Sequence, residues 1–285
     1  MKRLILITAC FFFISFQSVA APALWRIADD DTTIHIFGTI HILKPNTTWA
    51  NANITNAFAA TDALIVELDE KEISRAGPLF KEAGELPLGQ SMRALVGNGI
   101  YNDVIRVNRQ LDLPPAIFEN VRPWFASMSL TVISLTKNGF DLSTGADKIL
   151  IEEALKNRIP ILGIETASQQ AQMFAGLNAE QDKALLIDAL VQSQNVKSEM
   201  DRLHAAWLDG DIETLDTILN GGVMKKASLG DHLLYSRNRD WANKLSLLLQ
   251  KPGSFFMAVG TAHLVGDNSV QSALENMGIQ VAREQ

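Results

Sequence analysis

The sequence predicts an α/β fold: a mixed central sheet with flanking helices and helical insertions, built as one domain. Three observations predict it. Short apolar runs rich in β-branched residues alternate with amphipathic helical stretches along the chain. Two of those runs end in the same G-T-x-H, at Gly38–His41 and again 222 residues later at Gly260–His263. Finally, 285 residues with 47% hydrophobic and 20% charged side chains have ordinary globular composition, with enough chain for a sizeable core.

The N-terminus reads as a signal peptide over residues 1–20, with the fold in 21–285. "MKR" is a charged start, "LILITACFFFISF" an apolar core, and "SVA" a small-residue cleavage site. The apolar core is too short for a good membrane span. The stretch before Cys10 is too short for a lipoprotein signal, and the stretch after it too long. The expectation is a periplasmic or secreted protein with no stable membrane anchor. Cleavage removes Lys2, Arg3 and Cys10, the one cysteine, and takes the formal charge from −7 to −9. That leaves no disulfide and no thiol nucleophile. An acidic chain without a basic run argues against nucleic acid as a partner.

The elements follow in order. "TTIHIFGTIH" is a strand, and "NITNAFAATD" a helix with Asn51 or Asn53 as cap. "ALIVEL" at 63–68 is a buried strand. Residues 72–140 are mostly helical, broken at Pro and Gly. "GADKILIEEALKNR" at 145–158 is an amphipathic helix, with Ser143 or Thr144 near its cap. "IPILGIE" at 159–165 is strand-like, 167–249 is helical, and "SFFMAVGTAH" is a strand. A helix, "SVQSALENMG", and a last short strand, "IQVAR", close the chain.

Four of these apolar strands end in a polar group: His41, Glu67, Glu165 and His263. Ligands of parallel α/β sheets sit at the carboxyl ends of strands, so these four are candidates for one crevice. Glycine permits a sharp turn or a close backbone approach there. Two histidines and a carboxylate form a facial set for a divalent metal such as Mn, Co, Zn or Fe. The candidate catalytic residues, and the candidate metal ligands, are therefore His41, Glu67 and His263. A metal would acidify bound water, and the second carboxylate, Glu165, would act as base or orient a histidine.

Plainer roles compete. Glu67 suits a strand-end acid capping a helix, and Glu165 in "GIET" suits a strand followed by a capped helix. His35 reads as structural, and His204 and His232 as solvated helix residues. "YSRNRDWANKL" reads as a solvated basic face beside a core Trp241. The phosphate-loop, dinucleotide, serine-hydrolase and H-E-x-x-H motifs are all absent.

Taken in order, the G-T-x-H after the first strand, "ADALIVELD", "GADKILIEEAL", "IPILGIETASQQ", "RNRDWANKL", "AVGTAHLVG" and "MGIQV" resemble the TraB/PrgY/GumN family, which is related to the Tiki proteins. The resemblance runs from Trp25 to Val281. It implies metal-dependent proteolysis, as attributed to the Tiki members; another branch is linked to shutting down peptide pheromones. His41 and His263 match the family's two G-x-x-H histidines, and Glu67 its acid after the second strand. Asp147, Glu165, Arg237 and Asn238 match further polar positions, expected to bind substrate. The chain departs from the Tiki pattern in lacking a C-terminal membrane anchor.

The sequence is also similar to erythromycin-esterase-like hydrolases, which order His, Glu and His alike and act without a required metal. Three functions therefore stand: a metal-dependent hydrolase of peptide type, a metal-independent hydrolase with His41 as general base and Glu67 as its orienter, and a protein that sequesters a peptide or small molecule without turnover.

Overall fold

The computed structural model of the chain describes residues 21–226 and 228–285. The segment 1–20, read above as a signal peptide, lies outside the described residues. The strands are β1 (Leu24–Ala28), β2 (Thr32–Thr39), β3 (Ala63–Val66), β4 (Ile161–Gly163), β5 (Gly253–Gly260) and β6 (Ala282–Arg283). They form one sheet in the order β4-β3-β5-β2-β1-β6. Neighbours from β4 to β2 are parallel, and the β1 pairings with β2 and β6 are antiparallel. This is the mixed α/β sheet read from the sequence.

The helices in chain order are α1 (Ala52–Ala59), α2 (Glu70–Gly84), α3 (Met92–Gln110), α4 (Pro123–Lys137), α5 (Ala146–Asn157) and α6 (Ala167–Ala175). They continue as α7 (Ala179–Gln192), α8 (Val196–Leu208), α9 (Ile212–Leu219), α10 (Gly222–Lys225), α11 (Ser236–Leu248) and α12 (Val270–Asn276). Among the described residues none is long and apolar enough to cross a membrane.

Strand residues alternate between two cores, as the period of a pleated strand requires. Phe37, Leu64, Val66, Phe256 and Ala258 face Trp49, Phe58 and Trp207 beneath α1, α5 and α8. Ile34, Ile36, Ile65, Met257 and Val259 face Trp241, Leu245 and Leu274 on α11 and α12. Burying each large side chain contributes about 1.5–3 kcal/mol. The region from α2 to α4 packs with α6 and α7 into two further cores, one around Tyr101 and Leu186 and one around Trp124 and Leu233. It stands beside the sheet and walls the site.

Two readings are corrected here. His204 is not solvated: it is 6% exposed on the inner side of α8, and its Nε2 lies 3.0 Å from the Ile42 carbonyl. Burial lowers its pKa, so the ring stays neutral and bonds backbone instead of water. His232 is half-buried, with Nε2 2.8 Å from the Met173 carbonyl. Thr144 lies in a short 3-10 turn and its hydroxyl donates to the Leu43 carbonyl, so Gly145 takes the cap position.

Candidate active site

The two G-T-x-H motifs stand side by side on β2 and β5, with Thr39 paired to Gly260. Thr261 Oγ1 donates to the Thr39 carbonyl at 2.9 Å. A Cβ on Gly38 would lie 2.9 Å from that same Oγ1, so only glycine lets the second motif close on the first. The repeat is thus a pair of interlocked strand ends.

Gly260 does the corresponding work on the open side. A Cβ there would lie 3.2 Å from Glu67 Oε1, 3.5 Å from His41 Nε2 and 3.8 Å from His263 Cδ2. All three candidate residues therefore face one small space at the carboxyl ends of β2, β3 and β5. Glu67 follows β3 directly, and its Oε1 accepts from the Gly260 amide at 2.9 Å. His263 sits on a single 3-10 turn after β5 and is 3% exposed.

Each imidazole is oriented from behind. His41 Nδ1 meets Asp147 Oδ2 at 3.1 Å. Asp147 reaches it from the first turn of α5, which approaches closely because Gly145 has no side chain: a Cβ there would lie 2.3 Å from the His41 carbonyl oxygen. His263 Nδ1 bonds Asn238 Oδ1, and the Asn238 amide donates to the Asn268 carbonyl at 2.7 Å. Trp241 packs on the His263 ring with centroids 4.2 Å apart.

Arg237 binds the carboxylates together. Its Nη2 donates to Glu67 Oε2 at 2.9 Å and to Glu165 Oε2 at 2.7 Å, and its Nε to Glu165 Oε1 at 2.8 Å. Its Nη1 lies 3.1 Å from His263 Nε2. Glu165 is also reached by Trp241 Nε1 at 2.9 Å. Gln170 spans both acids, donating to Glu67 Oε2 and Glu165 Oε2 at 3.1 Å each.

The charges follow from this wiring. Burial alone would raise the Glu67 carboxyl; the positive charges of His263, Arg237 and His41 and the Gly260 amide outweigh it and hold the pKa at about 2. Burial, Arg237 and His41 push His263 down to about 3 against the pull of Glu67, so the ring is neutral near pH 7. At that pH the charges that act on Glu67 are accordingly those of Arg237 and His41. For His41, the partial loss of water around the ring is outweighed by Asp147 and Glu67, and its pKa rises to about 9. Its ring is protonated near neutrality, and its side chain is 61% exposed to the cleft.

Whether a metal fits here is decided by Arg237. The donor types suit one: two imidazoles whose Nδ1 atoms are held by oxygens, and a carboxylate. As arranged, the side chains do not fit it. A guanidinium, which cannot ligate, stands against His263 Nε2 and Glu67 Oε2. Among the described residues no group of three or more His, Cys, Asp or Glu side chains is placed to hold a metal ion.

The structure therefore brings His41, Glu67, Glu165, His263, Asp147, Arg237 and Asn238 into one cluster. Their positions differ. His41, Glu67 and Asp147 line an open cleft of about 690 Å³. Glu165 and Arg237 line a smaller cavity of about 250 Å³ on the far side of the ion pair. Asn238, 1% exposed, sits behind His263 with both ends of its amide engaged. Sequence reasoning missed Gln170 and the contact of Trp241 with Glu165. "SQQ" opens a capped helix, and nothing in its local pattern marks the second glutamine as facing two carboxylates.

A model of the TraB/PrgY/gumN family matches residues 23–283. The uncharacterized protein YbaP of Escherichia coli is 25% identical over 89% of this chain and 92% of its own length. The metalloprotease TIKI2 of Danio rerio is 26% identical over 87% of this chain, and TIKI1 of Homo sapiens 23% over 93%. The matches cover 57% and 62% of those two metalloproteases. No solved structure matches. With its two interlocked G-T-x-H strand ends and a family match over nearly all its described length, the chain belongs to the TraB/PrgY/gumN family.

Proposed function

We propose that the chain is a hydrolase acting on peptides at the His41–Glu67–His263 cluster. The observation that carries this reading is the common space above Gly260, faced by His41 Nε2, Glu67 Oε1 and the His263 ring. Relatives named metalloproteases support the substrate class.

In this reading a peptide carbonyl lies in the cleft beside His41. Glu67, anionic at neutral pH, accepts a proton as water attacks the carbonyl carbon. The protonated His41 Nε2 gives its proton to the leaving amine as the C–N bond breaks. The proton on Glu67 then returns to His41, which restores both groups. Asp147 fixes the His41 ring, and Arg237 with Gln170 fixes Glu67. The roles thus exchange relative to those read from sequence: His41 serves as acid, and Asp147 as its orienter.

A second reading, a divalent-metal enzyme, is favoured by the oxygen-held Nδ1 atoms of both imidazoles and by the names of the relatives. It requires Arg237 Nη1 to leave His263, and the steps above use no metal. The test is turnover of a peptide library by purified protein, stripped with chelator and then given Mn, Co, Zn or Fe. Equal rates with and without chelator support the acid–base reading. Loss with chelator and recovery with one metal supports the metal reading. No cleavage under any condition removes both and leaves a sequestering protein.

A further inference from the structure

The cleft at the candidate site does not end there. A second cavity of about 570 Å³ lies between α2 and α4, and Gln170 lines both. Helix α2 is the shared wall: Ile73 and Ser74 face the first space, and Gly77 and Phe80 the second. Ile73, Gly77 and Phe80 follow helical spacing, so they form one stripe. That stripe is left open. Ile73 is 48% exposed, and across the groove Met128 and Val132 are 38% and 36% exposed.

Two features separate this groove from an ordinary surface hollow. Its lining holds no charged residue; Ser129 and Gln170 are its polar members. A glycine also stands in the middle of α2 with nothing within 4 Å of where its Cβ would be. It stands directly before Pro78, whose ring crowds any side chain on the preceding residue of a helix, so glycine suits the position locally. The missing side chain also leaves the groove wider at its α2 wall.

We infer that the groove between α2 and α4 receives apolar side chains of a substrate peptide whose scissile bond lies beside His41 and Glu67. The inference rests on the peptide-hydrolase reading, because continuity with that site through Gln170 is what selects the occupant. An extended peptide passing from the cleft along α2 would set uncharged side chains against Phe80, Phe125, Met128 and Val132. Specificity then comes from apolar burial one side chain or more from the bond broken, and the acids and arginine of the site play no part in it.

Binding is measured by fluorescence anisotropy with two dye-labelled synthetic peptides of equal length and charge. One carries Leu and Phe at alternate positions, and the other Ser at those positions. Wild type is expected to prefer the apolar peptide by roughly tenfold or more, the worth of burying one such side chain. Ala76→Phe, which fills the groove from a helical position not followed by proline, and Met128→Asp, which charges its wall, should each cut that preference to below about threefold. Glu67→Gln should keep the preference, since it alters the acid and leaves the groove. Equal binding of the two peptides by wild type overturns the inference, as does a preference that both groove variants retain. A wild-type dimer that Ala76→Phe dissociates, with peptide preference unchanged, assigns the groove to a second copy and overturns it too. Preference without turnover supports the groove and removes the hydrolase reading. Turnover without preference does the reverse.

Discussion

Arg237 Nη2 donates to Glu67 Oε2 at 2.9 Å, and the same guanidinium rests against His263 and spans to Glu165. One fixed cation thus holds a buried acid, Glu165, a half-buried one, Glu67, and one neutral imidazole. Arg237→Ala would leave Glu67 and Glu165 facing each other with Gln170 between them. Breaking such a pair from one side should cost about 3 kcal/mol. Arg239, which pairs with Asp231 at the surface, is the control; its alanine variant should stay within about 0.5 kcal/mol of wild type. Urea unfolding of the two variants checks this, and equal midpoints would deny Arg237 its bridging role.

Acid should weaken the fold through His263 first. The buried ring has a pKa of about 3 against an ordinary 6.5, so the unfolded chain binds more protons between those values. Stability from this group is complete above pH 6.5 and falls as pH drops toward 3. Between pH 7 and 5 the loss should be about 1–2 kcal/mol. Glu67, held at about 2, adds to the loss below its ordinary 4.5. Unfolding at both pH values for wild type and His263→Gln checks the assignment. The variant should show the smaller drop, and an equal drop would mean another group titrates.

His41 runs the other way. Its pKa of about 9 lies above the ordinary 6.5, so its contribution is complete below pH 6.5 and lost as pH rises through 9. Asp147→Asn removes the charge that raises it. An NMR titration of the His41 ring should give a midpoint near 9 in wild type and one moved down toward 6.5 in the variant. Identical midpoints would exclude Asp147 as the cause.

Much of this site is legible in the sequence. Strand periodicity placed β2, β3, β4 and β5, and rules for parallel sheets placed their carboxyl ends together, so His41, Glu67, Glu165 and His263 could be named. The repeated G-T-x-H was visible, but its reason was not. That reason is a register between Thr39 and Gly260 and a hydroxyl that bonds across it. The partners of each imidazole were hidden for the same cause. Asp147 and Asn238 lie far from their histidines in sequence, and only tertiary contact pairs them. His204 misled because its helix looked solvated; the Ile42 carbonyl that satisfies it belongs to a distant loop. The family resemblance assigns Arg237 to substrate, yet four of its five hydrogen-bond partner atoms are side-chain atoms of the cluster itself, and the fifth is the Leu233 carbonyl.

The proposed reaction depends on Glu67 acting on substrate within this cluster. It is tested most directly by the rate at which purified Glu67→Gln cleaves the best substrate from the peptide library, with folding verified by circular dichroism. Glutamine keeps the size of glutamate and gives up the charge and the proton-accepting role. The expected result is a folded protein whose rate falls by a factor of about 10² or more. A folded Glu67→Gln protein with the wild-type rate would contradict the claim.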